Sequence, residues 1–408
     1  MKTHWRLPRG VDELLPPQAW QLEVLRRSVL DVFVSWGFDY VDPPVIEYLD
    51  SLLVGSGGDL DLQTLQVVDQ ASGLQLGVRA DMTSQAVRID AHSRKREGVQ
   101  RLCYAGPVVF ANPQIAQTSR VPFKAGAEIF GAQGLNADSE VVCLMLEVLH
   151  TAGIDAPVLL LGHMGIYNGL VDALLQSGDL DSQDEAALFK CVQRKAQSDV
   201  RELLRKSDLS DMMVALPMLM GADLAEANEC LGGAPETVIK ALAELQELAG
   251  LLRVGGEAEG RAEGEAEGQG QGKAQGVEIR FDVAELSGYG YHNGPVFAVY
   301  HPQHGSALAQ GGRYDGIGEA FGRARPATGF DVNLKQLLGA PNSAQPLVFA
   351  PLVSGSAEQS LVETVRTLRA EGYRVRCGLS ADELTPDECT SVLVQDNGTW
   401  QMVARPND

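Results

Sequence analysis

The sequence has few basic residues and no long apolar run, and both shortages narrow its possible functions. No stretch of apolar residues is long enough to cross a bilayer and no charged-then-apolar leader is present, so we expect a soluble protein with no membrane partner. Thirty-three Lys and Arg stand against 54 Asp and Glu, which gives a formal net charge of -21. Because nucleic-acid binding needs a basic face that neutralises phosphates, this balance disfavours general nucleic-acid binding.

Cysteine is also scarce, and its spacing excludes the common metal-site patterns. The six cysteines are widely separated and form no CxxC and no Cys/His pair at metal-ligand spacing. This distribution is typical of free thiols in a reducing compartment. We therefore expect no metal, no cofactor and a cytoplasmic location.

The 408 residues, 45% of them hydrophobic, are enough for about two or three domains. The pattern is largely helical from about 165 to 252, which suggests a helical insertion in a first domain at 1–339. Residues 253–276 are Gly-rich and acidic, with hardly an apolar side chain larger than alanine, and are predicted to be a disordered loop. Residues 346–408 alternate strand and helix patterns and predict a small C-terminal α/β domain.

A predicted β-hairpin from Arg101 to Gly131 carries charges among apolar residues. Its strands read LCYAGPVVF and PFKAGAEIF, an alternation expected of a sheet with one buried face, with Arg120, Lys124 and Glu128 in or beside the second. A charge inside a strand is costly to bury unless it is paired or holds a ligand. The charged residues of this strand are consistent both with an internal ion pair and with a ligand site.

Asp81 and Thr83 stand where a predicted strand ends and a helix begins, in the run RADMTSQ. An acid and a hydroxyl at this position can cap the first helical turn. They would also meet a ligand's ammonium group at the end of the strand, so both interpretations stay open. Further on, SALAQGGRY predicts a strand, and a helix near Gly329 is predicted to close the sheet.

Five motifs in order carry a family resemblance: RADMTSQ, LCYAGPVVF, RVPFKAGAEIFG, YGYHNGPVFAVY and AQGGRYDGIGEAFGRARPATGF. From about Leu7 to Leu338 the chain resembles histidyl-tRNA synthetase and its paralogue without tRNA function, the regulatory subunit of short-form ATP phosphoribosyltransferase. The resemblance implies an α+β fold, with a class II aminoacyl-tRNA synthetase-like antiparallel sheet flanked by helices. The C-terminal domain is shorter than the synthetases' anticodon-binding domain.

Residues that adenylate formation needs are missing where the resemblance places them. Phe110 stands where the synthetase has an arginine that contacts ATP, and Ser287 stands for a second arginine. The later run GFDVNLKQLL has Asn333, Lys335 and Gln336 where the synthetase normally has an arginine. The ammonium group of Lys335 does not replace a planar guanidinium fork. The resemblance therefore implies a protein that is not itself an enzyme.

The amino-acid pocket is better preserved. The resemblance implies that Asp81 and Thr83 hold the α-ammonium of histidine and that Glu128 accepts from its imidazole. Tyr314 would lie along the imidazole ring, and Arg120 would bind the carboxylate of histidine. The remaining candidates are Tyr291 and His292, which stand in place of a tyrosine pair of the synthetase. Lys124 replaces a glutamine, so it either turns to Glu128 or the ligand carboxylate or weakens histidine binding.

As a whole the resemblance implies a non-catalytic regulatory subunit that assembles with the short catalytic subunit of ATP phosphoribosyltransferase. It would support the first step of histidine biosynthesis, mediate feedback inhibition by L-histidine, self-associate as a dimer and bind no tRNA. A divergent histidyl-tRNA synthetase and a stand-alone histidine-binding sensor are the alternatives.

Overall fold

The computed structural model describes residues 6–54, 61–112, 119–221, 223–257, 276–286, 291–339, 346–380 and 382–405. The chain divides into two compact units. The first comprises Met1–Glu13 and Leu22–Leu338, and the second comprises Leu14–Gln21 and Gly339–Asp408. Within the described residues, no helix is both long enough and apolar enough to span a membrane.

Twelve described strands build two sheets in the first unit. They are β1 (Asp39–Tyr40), β2 (Ile46–Tyr48), β3 (Leu65–Val68), β4 (Gln75–Val78), β5 (Gln100–Pro107), β6 (Phe123–Phe130), β7 (Val158–His163), β8 (Met220–Gly221), β9 (Glu278–Asp282), β10 (Pro295–Tyr300), β11 (Ala309–Arg313) and β12 (Ala327–Asn333). Nine form a large sheet in the order β1-β5-β6-β12-β11-β10-β7-β9-β8, and the other three form a small sheet in the order β2-β4-β3.

The large sheet is mixed, although mostly antiparallel as expected. Only the β1–β5 and β7–β9 pairs run parallel within the described sheet. The predicted hairpin is present as β5 and β6, but its residues are buried on both faces rather than on one. Helices and loops therefore cover the centre of the sheet on both sides, which is why a charge placed there needs a partner. The helix predicted near Gly329 is wrong, because β12 occupies that segment.

The helices of the first unit pack around this sheet, and the first of them begins within the Leu14–Gln21 segment of the second unit. They are α1 (Gln18–Ser35), α2 (Leu49–Leu53), α3 (Thr83–Arg88), α4 (Leu135–Thr151), α5 (Met164–Ser177), α6 (Glu185–Gln193), α7 (Gln197–Glu202), α8 (Asp208–Ala215), α9 (Ala225–Cys230) and α10 (Glu236–Glu257). The main core joins fully buried side chains of α1, α4, α10 and the sheet, among them Phe33, Met145, Leu245 and Leu161. Burying each such side chain contributes about 2 kcal/mol.

One boundary differs from the sequence prediction. Helix α10 continues through Glu257, so residues 253–257 are helical although we expected them to belong to the loop. The rest of that predicted loop, residues 258–275, lies outside the described residues.

The second unit contains the strand and helix patterns expected near the C-terminus. Its elements are β13 (Leu347–Ala350), α11 (Ser356–Ala370), β14 (Arg374–Cys377), β15 (Ser391–Asp396) and β16 (Thr399–Ala404), with the sheet order β14-β13-β15-β16. Strands β15 and β16 pair across Asn397 and Gly398, which both have positive φ as a tight hairpin requires. Val348, Leu361 and Leu393 lie in its core.

Candidate functional site

Glu128 lies at the centre of the candidate site, on β6 between β5 and β12. Its register partners are Leu102 on β5 and Gly329 on β12. A Cβ atom at position 329 would clash with Glu128 Oε2, so only glycine leaves room for the carboxyl group. Gly329 therefore leaves the space that the Glu128 carboxyl group occupies.

Two tyrosines hold the Glu128 carboxyl group. The Tyr104 hydroxyl donates to Oε1 at 2.8 Å, and the Tyr314 hydroxyl donates to Oε2 at 2.5 Å. Glu128 is 1% exposed, and burial raises its pKa from an ordinary 4.5 to about 8, although both hydroxyl donors oppose the rise. At neutral pH the carboxyl group is therefore mostly protonated and uncharged.

Asp81 and Thr83 adjoin this group at the start of α3. The Thr83 backbone N–H donates to Asp81 Oδ2 at 3.2 Å, and Thr83 Oγ1 lies 3.4 Å from the Tyr104 hydroxyl. Asp81 is buried, and its Oδ1 accepts no hydrogen bond from the described residues. Burial raises the pKa of Asp81, the Lys124 cation opposes that rise, and Asp331 adds to it. The hydrogen bond from the Thr83 N–H thus accounts for one oxygen and leaves the other available to a donor.

Lys124 takes a partner that the sequence did not indicate. Its Nζ lies 2.7 Å from Asp331 Oδ2, and both side chains are largely buried, at 9% and 14% exposed. Asp331 projects from β12, the strand next to β6. Neither Glu128 nor a ligand carboxylate is needed to balance this cation, because Asp331 already does so.

A small cavity opens beside Glu128. It is lined by Thr83, Glu128, Glu285, Tyr291, His292, Val296, Phe297, Gln310, Gly311, Tyr314, Gly329, Phe330 and Asp331. The rings of Tyr291 and His292 lie 4.7 Å apart, and Tyr291 meets Tyr314 edge-on at 5.8 Å. The free volume is about 30 Å³, room for about two water molecules, so a ligand as large as an amino acid requires these side chains to move apart.

The structure does not bring Arg120 into this group. Its Nε donates to the Phe110 carbonyl at 2.9 Å and its Nη1 to the Arg9 carbonyl at 3.3 Å. Arg120 precedes β6 in the chain, so its side chain joins the end of the hairpin to the N-terminal segment instead of lining the cavity.

Two positions that the resemblance assigns to ATP-binding cations have other surroundings in the structure. Phe110 is buried in an apolar cluster, and Lys335 Nζ pairs with Asp12 at 3.1 Å. No Lys or Arg side chain is among the described residues that line the cavity. Ser287 lies outside the described residues.

Four polar contributors to the site were missed in the sequence. Tyr104, Gln310 and Asp331 lie in strands around Glu128, and Glu285 follows the end of β9. Tyr104 carried a usable signal, because it faces Gly126 across the hairpin and a Cβ there would stand 2.6 Å from the Tyr104 hydroxyl. A large side chain opposite a glycine indicates that this side chain lies across the neighbouring strand.

The arrangement suits a small cationic or zwitterionic ligand with a ring. A buried carboxylate oxygen can accept from an ammonium group, and a neutral carboxyl flanked by tyrosines can exchange hydrogen bonds with a ring nitrogen. Among the described residues no cluster of three or more His, Cys, Asp or Glu side chains has the geometry to hold a metal ion.

Comparison with known proteins finds a family model for each part of the chain and relatives over almost its whole length. Residues 10–337 match the family model for histidyl-tRNA synthetase, and residues 345–403 match that for the ATP phosphoribosyltransferase subunit HisZ C-terminal domain. Proteins named ATP phosphoribosyltransferase regulatory subunit from Pseudomonas fluorescens and Chromohalobacter salexigens are 43% and 45% identical over 407 and 406 residues. Each alignment covers 98% of this chain and 98% of the relative.

Solved structures agree in fold. A Bacillus halodurans protein described as an ATP phosphoribosyltransferase regulatory subunit/histidyl-tRNA synthetase is 25% identical, with a TM-score of 0.78 over 94% of this chain and 95% of that one. Histidyl-tRNA synthetase from Nostoc sp. PCC 7120 is 15% identical, with a TM-score of 0.71 over 99% and 97%. This confirms the α+β, class II synthetase-like fold.

Proposed function

The chain belongs to the family of ATP phosphoribosyltransferase regulatory subunits, and from this we propose that it is the non-catalytic regulatory subunit of that enzyme. In this role it assembles with the short catalytic subunit, which condenses ATP with phosphoribosyl pyrophosphate in the first step of histidine biosynthesis. The chain itself carries out no aminoacylation.

One observation carries the proposal beyond the family name. The chain has a small cavity beside the buried Glu128, while the positions that the resemblance assigns to ATP-binding cations hold a buried Phe110 and a Lys335 already paired with Asp12. Adenylate formation needs cations that stabilise charge developing at the α-phosphate. A chain that keeps the pocket without the cations is suited to sense an amino acid rather than to activate it.

We propose L-histidine as the effector in this pocket. Asp81 Oδ1, which accepts no hydrogen bond from the described residues, and Thr83 receive the α-ammonium group. Glu128, held by Tyr104 and Tyr314, exchanges hydrogen bonds with the imidazole, while Tyr291 and His292 pack against the ring. Arg120 is left out of this set, because its guanidinium already binds two backbone carbonyls.

Feedback inhibition follows if histidine distinguishes two states of the complex. A ligand shifts an equilibrium only by its difference in affinity for the two states. The cavity of about 30 Å³ is smaller than histidine, so in this proposal binding favours a wider arrangement of the side chains around Glu128. In the proposed mechanism this wider arrangement is the one that activates the catalytic subunit less.

The effector site is tested by calorimetric titration of the full chain with histidine. We expect Asp81→Asn to weaken binding at least tenfold, because a hydrogen bond to a charged group contributes about 1.5–3 kcal/mol. Glu140→Gln is the matched control, since Glu140 lies on α4 away from the cavity, pairs with Arg101 and should leave the affinity unchanged. Equal affinities for wild type and Asp81→Asn would reject this pocket as the effector site.

The regulatory role is tested separately, by assaying the short catalytic subunit with and without this chain. We expect the chain to co-purify with the catalytic subunit and to raise its rate, and histidine to lower the rate of the complex. Histidine-dependent exchange of pyrophosphate into ATP by the chain alone would contradict the proposal and favour a divergent synthetase.

The proposal includes self-association as a dimer, a cytoplasmic location and no binding of tRNA. The net charge of -21 supports the last point, because tRNA binding requires neutralisation of phosphates.

A further inference from the structure

The turn Asp282–Leu286, here termed the wall turn, forms one side of the cavity beside Glu128. It follows β9, and within it the Glu285 N–H donates to the Asp282 carbonyl at 3.0 Å. Glu285 lines the cavity and is 8% exposed. A Cβ at Gly162 of β7 would stand 2.6 Å from Glu285 Cβ, so the wall turn lies directly against the large sheet.

The helical insertion holds the wall turn in place. Lys195, which follows α6, donates from Nζ to Asp282 Oδ1 and to the Ala284 carbonyl, each at 2.8 Å. The Gln193 side-chain amide donates to the Leu286 carbonyl at 3.2 Å. Asp282 is 2% exposed, and a buried carboxylate needs a charged or hydrogen-bonding partner, which Lys195 supplies. The insertion thus fixes one wall of a cavity that neither Lys195 nor Gln193 lines.

Lys195 has a backbone conformation that usually belongs to glycine. Its φ is 57°, and its N–H donates to the Val192 carbonyl at 2.9 Å. The Ala196 N–H donates to the Cys191 carbonyl at 2.9 Å, and the two bonds close α6 with a Schellman motif. Glycine is the usual residue at this position, because a Cβ is strained there. A lysine in its place indicates that the side chain has a role that outweighs the strain.

The wall turn brings a third carboxyl group to the cavity. Of the other two, Glu128 is mostly protonated at neutral pH, and Asp331 balances the Lys124 cation. An imidazole ring has two nitrogens, and Glu128 can exchange a hydrogen bond with only one of them. A carboxylate is a strong acceptor for the second nitrogen when that nitrogen carries a proton. Glu285 is the carboxyl group whose position the insertion fixes.

We propose that Glu285 binds the second ring nitrogen of histidine and that Lys195 is the positioning residue that fixes Glu285 for this contact. This assignment rests on the proposed histidine site and extends it. It makes the helical insertion, as well as the large sheet, a determinant of effector affinity. Because coupling between two sites is reciprocal, histidine binding then also acts on the insertion.

Calorimetric titration of the full chain with L-histidine tests both residues. We expect Glu285→Gln to weaken binding about tenfold, because a hydrogen bond to a charged acceptor is lost. We expect Lys195→Met to weaken it about fivefold, because binding must then order the wall turn. Lys190→Met is the matched control, since Lys190 is an exposed lysine of the same helix and should leave the affinity unchanged. Thermal unfolding checks each fold, and Lys195→Gly, which suits the backbone at this position, replaces Lys195→Met if that variant does not fold.

A double variant separates positioning from a general loss of stability. If Lys195 acts through Glu285, Lys195→Met combined with Glu285→Gln binds histidine no more weakly than Glu285→Gln alone. Losses that multiply, or an unchanged affinity in Lys195→Met, would overturn the positioning role. An unchanged affinity in Glu285→Gln would overturn the contact with the ring.

The Asp81→Asn variant distinguishes this assignment from the proposed site itself. Weaker binding in Asp81→Asn, with normal binding in Glu285→Gln and Lys195→Met, would keep the histidine site and overturn the roles of Glu285 and Lys195. A wild-type chain that binds no histidine would overturn both.

Discussion

Glu128 shows how the surroundings of one residue change what its side chain can do. Both of its carboxyl oxygens accept from tyrosine hydroxyls, yet burial still raises its pKa to about 8. The residue that reads as a charged group in a strand is therefore a neutral hydrogen-bonding group in the folded chain at neutral pH. A neutral group is far cheaper to bury than an anion.

This pKa predicts how stability depends on pH. Between the ordinary value of 4.5 and about 8, the folded chain keeps a proton on Glu128 that the unfolded chain has released. Raising the pH through this range therefore lowers the free energy of unfolding, by up to about 1.4 kcal/mol per pH unit from this group. Chemical denaturation at several pH values should show this slope in the wild type and a shallower one in Glu128→Gln. Parallel profiles would contradict the raised pKa.

Lys124 predicts an effect on ligand affinity. Its cation pairs with Asp331 and acts on Asp81, which is the proposed acceptor of the ligand ammonium. We expect Lys124→Gln to tighten histidine binding about tenfold, because the Lys124 cation no longer repels the α-ammonium group of the ligand. Calorimetric titration checks this, with Lys335→Gln as the control because Lys335 pairs with Asp12 instead. Weaker binding in Lys124→Gln would mean that Lys124 contacts the ligand carboxylate.

At the scale of elements, α3 is too short to be stable alone. Its six residues and the π-helical turn Ile89–Ser93 that follows make a segment that needs tertiary contacts to be stable. Here Gln85 donates to the Pro44 carbonyl and to Glu47, while Arg88 forms a two-bond pair with Glu47. Glu47 thus joins α3, which carries Thr83, to β2 of the small sheet. One carboxylate fixes the position of both elements.

That arrangement predicts the cost of removing Glu47. Glu47→Ala leaves Gln85 and Arg88 without this acceptor, so we expect the free energy of unfolding to fall by about 1–3 kcal/mol. Glu23→Ala is the comparison, because Glu23 pairs with Arg26 and Arg27 on the surface of α1, where such pairs contribute about 0–1 kcal/mol. Urea denaturation measures both variants, and equal losses of the free energy of unfolding would show that the Glu47 contacts contribute no more than a surface ion pair.

At the scale of the whole molecule, the net charge of -21 opposes any contact between copies. An apolar contact is not weakened by salt, while the repulsion between copies is screened, since the Debye length falls from about 10 Å at 0.1 M to about 3 Å at 1 M salt. We therefore expect the dimer dissociation constant to fall as salt rises over this range. Sedimentation equilibrium measures it, and a dissociation constant that rises with salt would indicate an interface built on ion pairs instead of on apolar contacts.

The sequence by itself determined the family, the hairpin of β5 and β6, and the elements of the second unit. These follow from local features, such as strand alternation, turn residues and motifs in order along the chain. It also brought Thr83, Glu128, Tyr291, His292 and Tyr314 into one predicted set, and the structure places all five around one cavity.

Only the tertiary structure decided which partners these residues have. Lys124 and Asp331 are separated by 207 positions, and their pairing depends on the register between β6 and β12, which no local pattern encodes. Arg120 left the predicted set because its segment lies against the Arg9 carbonyl, again a contact between distant parts of the chain. The outward direction of Ile46, Tyr48 and Val67 on the small sheet was equally hidden, since alternation shows that a strand has two different faces but not which one meets the core.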